Sequence, residues 1–354
     1  MPKLDQESLD FILESAILAP SADNQHRIRF RVDGDTIHIR YTEYLAQVGY
    51  KRVLALLSLG AVIENLTIAA SRFGLGAQTT CVPDPMQRGL AIQVCLNPGG
   101  AVDPLWQTIP LRHTNRRLRF RGPKMTDLEL RDLDAAVRAY PNTQLVWLDE
   151  PESRKNALSL MRRAETERFH NRILHEEMFS AIRFNVGWNA SCLEGLPPGA
   201  LAVEAPMRPL FALLRHWPVM RLANLLGAHH ILGMRACDLP CRFAPNLGLL
   251  AVEHTDNHSV FDAGRSFQRL WLALTKQGRV LQAMPASALY ALDGVQAEGI
   301  PPVLQFELNR AWKSRLPTHN PLILFRIGFA KPLVIGAARR PSKHYLEESK
   351  TGGK

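Results

Sequence analysis

A ten-residue segment of the sequence, RHTNRRLRFR at 112–121, contains five arginines and one histidine. No carboxylate lies between Pro104 and Thr126, so nothing nearby in the sequence neutralises this charge. Guanidinium groups bind phosphate oxygens bidentately, and the hydroxyl of Thr114 would supply a further donor. The residue types leave three interpretations open: a solvated basic segment, a patch that binds nucleic-acid backbone, and a clamp for the phosphate of a small molecule.

The whole chain is also basic, with a formal net charge of +10 over 354 residues. This charge indicates a positive surface field but does not choose between nucleic acid, membrane and a small anion. Aromatic residues make up only 7% of the chain, which argues against a single-stranded nucleic-acid site built on base stacking. A hydrophobic content of 46% is typical of a globular protein and excludes general disorder.

Other patterns that could do chemistry are incomplete. Cys237-x3-Cys241 lies near His229 and His230, but the second cysteine pair of a zinc site is missing, so we expect ordinary thiols. Neither G-x-G-x-x-G after a strand nor G-x-x-x-x-G-K-[ST] occurs, and Gly74-Leu75-Gly76 is placed to end a helix. The sequence therefore excludes dinucleotide-fold and P-loop phosphate sites.

The termini and the cysteines indicate a reduced, cytoplasmic protein. The first residues, MPKLDQESLDF, are acidic and lack the apolar run of a signal peptide. We find no uncharged apolar stretch of the ~18 residues that a membrane-spanning helix needs. Five cysteines, at 81, 95, 192, 237 and 241, are too scattered for a disulfide scaffold. The basic, apolar segment 208–236 would suit a membrane surface, but we favour a lid over the chain's own core.

Periodicity predicts the elements that must position any site. Helices are predicted at 8–20, 56–80, after Pro123, at 153–184 (one helix or a broken pair) and at 263–284. A hairpin is predicted at 28–41, and single strands at 90–97, 143–148, 249–254 and 321–330. The proline-rich region 185–247 is the least regular.

The chain also contains an internal sequence similarity at a shift of 204 residues, which we call the echo. Aligning 58–78 with 262–282 matches the pairs Gly60 and Gly264, Leu66 and Leu270, Ala69 and Ala273, and Gly74 and Gly278. This register predicts a duplicated α+β unit, and two copies in one chain would imitate a homodimer with a pseudo-two-fold axis.

Five segments together resemble the flavin-dependent nitroreductase-like superfamily. APSADNQHRIRFRV at 19–32 resembles its A-P-S-x-x-N-x-Q-P-W-R-F segment, and RHTNR at 112–116 resembles the element that holds the FMN phosphate and ribityl chain. The segment 59–76 is similar to its central helix, LQAMPASAL at 281–289 to the Met-Pro segment along the isoalloxazine, and 325–344 to its terminal strand and Arg-Arg-Pro end. The longer, internally duplicated single-chain members resemble this chain most.

The resemblance implies an α+β, nitroreductase-like fold with a mostly antiparallel sheet flanked by helices, built from two pseudo-repeats. It places a first half at 1–122 and a second half at 123–345, with a lid-like insert at about 185–247. The tail 346–354 is expected to be flexible.

The resemblance also implies FMN as cofactor, one per chain where simple homodimers carry two, and NAD(P)H as electron donor. The implied cofactor-binding residues are Ser21, Asn24, Gln25, Arg112, His113, Thr114, Arg116, Met284, Pro285, Ala286, Arg339 and Arg340. The flavin carries the chemistry, so no catalytic side chain is assigned. The family's Gln-Pro-Trp stands here as His26-Arg27-Ile28, with Gln25 one position early, which leaves the role of Gln25 open.

The leading function is thus hydride transfer from a nicotinamide through FMN to a small oxidised acceptor. The first alternative is a flavin-binding or flavin-storing protein with little turnover, and the second is a basic nucleic-acid-binding protein. We expect a small-molecule substrate, no nucleic-acid or membrane partner, and either a monomer with pseudo-two-fold symmetry or a homodimer.

Overall fold

A computed structural model of the chain describes residues 5–82, 90–295 and 298–347. The helices in these residues are α1 (Gln6–Ile17), α2 (Tyr50–Ser71), α3 (Asp127–Arg138), α4 (Pro151–His170), α5 (Arg172–Ser180), α6 (Arg208–Leu214), α7 (Trp217–Asn224), α8 (Ala228–Gly233), α9 (Leu239–Arg242), α10 (Asn257–Lys276), α11 (Ala286–Leu289) and α12 (Pro302–Lys313). The strands are β1 (Ile28–Asp33), β2 (Thr36–Tyr41), β3 (Leu75–Val82), β4 (Leu90–Pro98), β5 (Thr143–Trp147), β6 (Asn246–Val252), β7 (Val280–Met284) and β8 (Asn320–Gly328).

The strands form two four-stranded antiparallel sheets, in the orders β1-β2-β4-β3 and β5-β6-β8-β7. Helices pack on both sheets, so the predicted α+β class with antiparallel sheets is confirmed. The order helix-strand-strand-helix-strand-strand occurs twice along the chain, once for each sheet, and α10 corresponds to α2. We call these the first and second successions. The second succession is interrupted by α4–α9 and by α11 and α12. A duplicated unit would produce this topology, and the duplication itself stays a prediction.

Local sequence signals located most strands correctly. The hairpin at 28–41 is confirmed, with Gly34 in its turn at a φ of 61° that favours glycine. The segment 153–184 is the broken pair α4 and α5.

Both central helices end earlier than predicted, so the helices at 56–80 and 263–284 were wrong at their carboxyl ends. After α2 the chain turns at Gly74, with a φ of 69°, and continues as β3. After α10 it turns at Gly278, with a φ of 72°, and continues as β7. A left-handed glycine stops a helix, while the apolar pattern runs on into the strand behind it.

The helices α2 and α10 touch through their backbones at the two glycines that the echo aligns. A Cβ added to Gly60 would lie 2.1 Å from the Phe261 carbonyl oxygen. A Cβ added to Gly264 would lie 2.3 Å from the Leu57 carbonyl oxygen. Neither position has room for a side chain, so the close approach requires glycine on both helices.

Polar side chains lock the same helix pair beside these glycines. The fully buried carboxylate of Glu64 accepts hydrogen bonds from Arg265 at 3.1 Å and from Arg269 at 2.8 Å. One turn on, the amide of Gln268 donates to Asn65 at 2.7 Å, also in the core. Removing one partner of such a buried pair leaves the other without compensation, so these contacts fix one register of α2 against α10.

The helix α2 is long and apolar enough to cross a membrane by length and composition, with a mean hydropathy of 1.9. In the structure 83% of this apolar window is buried by the rest of the protein, as expected of a central core helix.

The sequence halves do not coincide with the two sheets. Thr114 forms a parallel bridge to Leu281 in β7, and Arg121 pairs with Phe329, so the basic segment extends the second sheet. In exchange, Leu346 forms a bridge to Phe30 in β1 of the first sheet. Residues 346–347 of the predicted tail are therefore held in place, and 348–354 lie outside the described residues.

We expect Gly60→Ala and Gly264→Ala each to lower the free energy of unfolding by about 3 kcal/mol, since the added methyl group must push two helix backbones apart. Urea denaturation measures this. The matched control is Gly336→Ala, because a Cβ there meets nothing within 4 Å, and its effect should stay within ~0.5 kcal/mol. Equal losses for all three variants would contradict the close helix contact.

Candidate functional site

A cavity of about 700 Å³ lies where the two successions meet. Its walls come from the segment 20–23, from α2 and α10, and from residues 114 and 116. Residues 282–286 complete the base, and α4, α5 and the insert cover it. A volume of this size is typical of small-molecule and cofactor sites.

The structure brings half of the predicted cofactor-binding residues to the cavity wall. These are Ser21, Thr114, Arg116, Met284, Pro285 and Ala286. The other six lie off the wall: Asn24, Gln25, Arg112, His113, Arg339 and Arg340. The first six residues therefore share one cavity, and the other six make contacts elsewhere in the protein.

The turn after α1 presents polar atoms to the cavity from a constrained backbone. Asp23 and Asn24 have φ values of 53° and 58°, in the left-handed region that non-glycine residues seldom occupy. The amide of Asn24 donates to the Gly195 carbonyl at 2.9 Å and to the Ala338 carbonyl at 3.2 Å. Asn24 thereby ties the insert and the carboxyl-terminal segment to this turn. The buried hydroxyl of Ser21 has no hydrogen-bond partner among the described residues.

Arg116 is the cation of the wall that remains available. Its guanidinium makes no hydrogen bond or ion pair with any described residue, and burial lowers its pKa, opposed by the charge of Asp23. Desolvation at the cavity wall raises the pKa of Asp23, opposed by the charges of Arg168, Arg116 and Arg183. The other carboxylates on the wall are paired, in Glu165–Arg168 at 2.9 Å, Glu177–Lys51 at 3.3 Å and Glu204–Arg235 at 2.6 Å. The cavity can therefore accept an anion at Arg116.

Arg112 and Arg339 surround the carboxyl end of α1 rather than a cavity. Arg112 donates to the Leu18 carbonyl at 3.0 Å, and Arg339 donates to the carbonyls of Ile17 and Ala19 at 3.0 and 2.9 Å. Free carbonyls at a helix end carry partial negative charge, which explains how they hold two cations. Burial, then mutual repulsion, lowers the pKa of Arg112 to about 9, and burial lowers that of Arg339 to about 10.

Of the four implied cofactor-binding residues Arg112, Thr114, Arg339 and Arg340, Thr114 alone lies on the cavity wall. Arg112 does stack at 4.5 Å on Trp271, which lines the cavity, so the charge of Arg112 lies one side chain behind the wall. Arg340 pairs instead with Glu194 at 3.4 Å.

The rest of the basic segment is used mostly within the protein. Arg117 donates to the carbonyls of Lys331 and Pro332, both at 3.0 Å. Arg119 lies over the ring of Phe243 at 4.6 Å. His113 is exposed, and among the described residues it bonds the neighbouring Leu111 carbonyl, at 3.0 Å. Gln25 accepts from Arg27 at 3.3 Å, so neither of these two predicted residues faces the cavity.

Sequence reasoning missed the polar groups that α2, α4 and α11 bring to the wall. Tyr50 donates to Glu177 at 2.7 Å, and its ring meets that of Tyr290 edge-on at 5.4 Å. Burial raises the pKa of both phenols. Asp23 lies inside the segment 19–32, which resembles the superfamily, so the sequence could have predicted it as a site residue. Arg168 sits on an amphipathic helix that offers no such signal.

The cysteine pair that resembled a metal site consists of buried thiols. The Cys241 sulfur lies 3.3 Å from that of Met284, and burial raises the pKa of Cys241 to about 12. Cys237 contacts the Gly233 carbonyl at 3.4 Å. Among the described residues other than Cys81, no three His, Cys, Asp or Glu side chains are grouped for a metal ion.

Comparison with known proteins gives matches among solved structures only: no family model and no curated protein matches the chain. The chain is similar to a nitroreductase with bound FMN from Bacteroides fragilis, at 12% identity and a TM-score of 0.34, over 65% of this chain and 90% of that chain. An FMN-dependent nitroreductase from Mycobacterium smegmatis in complex with NADPH is 15% identical, with a TM-score of 0.33 over 64% and 86%.

A BluB-like flavoprotein from Clostridium difficile is 11% identical, with a TM-score of 0.38 over 70% of this chain and 100% of that chain. These solved structures are nitroreductase-like flavoproteins, the superfamily that the sequence resembles.

The surroundings of His26 predict how the free energy of unfolding depends on pH. Its Nε2 bonds the Ile17 carbonyl at 2.8 Å, and burial, then the charge of Arg339, lowers its pKa from 6.5 to about 3. Between these values the unfolded chain binds a proton that the folded chain does not, so the free energy of unfolding falls as pH drops below 6.5. His26→Gln should lower the slope of this decline by up to about 1.4 kcal/mol per pH unit.

Urea denaturation of wild type and His26→Gln at pH 4, 5, 6 and 7 measures the two slopes. Carboxylates that titrate in both proteins cancel in the comparison. Parallel profiles would contradict a neutral, buried His26.

Proposed function

We propose that the chain is an FMN-binding oxidoreductase of nitroreductase type, transferring hydride from NAD(P)H to a small oxidised acceptor. One observation carries the proposal. The segments at 20–23, 114–116 and 284–286, which resemble flavin-binding elements of the superfamily, lie far apart in the sequence but line one cavity against α2 and α10. Segments kept only for packing have no reason to converge on an open space of about 700 Å³.

The residues present fit this cofactor. A flavin needs apolar walls for its flat ring, and the cavity offers Leu57, Ala61 and Phe267 from the two central helices. A phosphate needs cationic and hydroxyl donors, and Arg116, Thr114 and Ser21 lie on the wall; Arg116 and the Ser21 hydroxyl have no partner among the described residues. An unpartnered buried hydroxyl costs free energy that a ligand would recover.

In this proposal Arg116 and Thr114 hold the phosphate, and the Met284-Pro285-Ala286 segment lies beside the ring. When bound, FMN supplies the two-electron hydride chemistry. In the ion pairs Glu165–Arg168 and Glu204–Arg235 the two charges neutralise each other. The preference of the cavity for an anion therefore comes from Arg116. Apolar residues of the insert, such as Phe211 and Leu214, exclude water from the upper part of the cavity.

The covering insert also favours a second candidate function, a flavin-binding protein with little turnover. Its side chains form a large part of the cavity lining, which would restrict the access of donor and acceptor. No observation favours the nucleic-acid alternative, because Arg112, Arg117 and Arg119 are engaged within the protein.

Titration of the purified chain with FMN, followed by flavin fluorescence, tests the site. Arg116→Gln should weaken FMN binding at least tenfold, because it removes the unpaired cation of the wall. The matched control is Arg121→Gln, an exposed arginine of the same segment, which should bind as the wild type does. Equal binding by both variants, or no FMN binding by the wild type, would contradict the proposed site.

Anaerobic addition of NADH or NADPH to the FMN-loaded chain separates the two candidate functions. The oxidoreductase should lose its flavin absorption within the time of a catalytic cycle and regain it when a nitroaromatic or quinone acceptor is added. A chain that holds FMN tightly but is bleached only over hours would favour the storage function instead.

A further inference from the structure

The insert has an apolar face that the described chain leaves uncovered. Leu222 in α7, and Leu225 and Leu226 in the turn that follows it, are 67%, 80% and 88% exposed. Ile231 on α8 is 62% exposed beside them in sequence. We define the insert face as these four residues with the half-exposed Met207, Leu210 and Leu213.

These exposed side chains do not mean that the insert lacks a core of its own. The insert buries a separate apolar cluster of its own, in which Met220 and Leu214 pack with Phe169 and Phe179 of α4 and α5. The same short helices therefore have one side in the protein and one in solvent. Exposed apolar patches of this kind mark interaction surfaces.

The charges that the insert itself brings to this face have one sign; Glu176 of α5 lies in the same groove as Arg215 and Arg221 but pairs with Arg172. No carboxylate occurs from Ala205 through Cys237, while Arg215 and Arg221 are exposed within it. In the described part of the chain Arg221 makes no ion pair. Leucines on one side of short helices with arginines at their edge are typical of segments that lie in the interface of an anionic bilayer. Two copies of this chain would instead bring like charges together.

The mouth of the cavity opens in the insert face. Met207, Leu210 and Ile231 line the cavity and are also 48%, 48% and 62% exposed. A ligand that enters there passes between apolar side chains of this face.

We propose that the insert face docks the chain on the surface of an anionic lipid bilayer, with the cavity mouth toward the lipid. The leucines enter the interface and the arginines contact lipid phosphates. This proposal departs from the sequence-based expectation of no membrane partner, because sequence alone did not show which side of the insert is buried. The inference does not depend on the identity of the cofactor.

Flotation of the purified full-length chain with unilamellar vesicles tests the docking. One set contains phosphatidylcholine alone, and the other contains equal parts of phosphatidylcholine and phosphatidylglycerol. The wild type should float at least fivefold more with the anionic set, and less as salt is raised. Leu225→Ser/Leu226→Ser should lower flotation at least tenfold, and Arg221→Gln should reduce the preference for anionic vesicles.

The matched control is Val102→Ser/Leu128→Ser, two exposed aliphatic residues in other parts of the fold, which should float as the wild type does. Circular dichroism and light scattering verify the fold and mass of each variant. A wild type that stays with neither vesicle set, or a Leu225→Ser/Leu226→Ser variant that floats normally, would overturn the proposal. A variant that changes only from dimer to monomer would assign the face to a second copy. FMN binding, measured in parallel, reports on the cavity separately.

Discussion

The close contact between α2 and α10 is the constraint on which the rest of the structure depends. Gly60 and Gly264 bring two helix backbones to a separation at which any side chain would collide with a carbonyl oxygen. Glu64, with two arginines of α10, fixes the register at the same level. Each helix belongs to its own sheet, so this contact joins the two successions into one body.

The cavity is a consequence of that contact. Leu57 and Ala61 on α2 and Phe267 and Trp271 on α10 line it together with the polar turn at 20–23. The arginines of the basic segment 112–121 have different roles at different positions. Residue 116 serves the cavity, whereas Arg112 joins Arg339 at the carboxyl end of α1. One stretch of arginines thus binds a helix end and supplies the free cation of the candidate site.

Elements governed by local signals were predictable. Alternation and a glycine turn located β1 and β2, and apolar runs located β4, β6 and β8. The ends of α2 and α10 were not, because β3 and β7 follow after only a glycine turn, and their apolar residues continue the helical pattern. Half of the predicted cofactor residues face the cavity, since the resemblance identified segments but not directions. Which arginine points inward depends on the distant carbonyls of residues 17–19, and a single sequence does not show that contact.

We propose that one cavity, built on the α2–α10 contact, holds one flavin in each chain. The direct measurement is the stoichiometry of FMN binding, obtained by titrating a known concentration of chain well above the dissociation constant and confirmed by native mass spectrometry. We predict an end point of one FMN per chain. An end point of two per chain would place separate sites in the two successions, and an end point of one per two chains would place the site between copies. Either result would contradict the account.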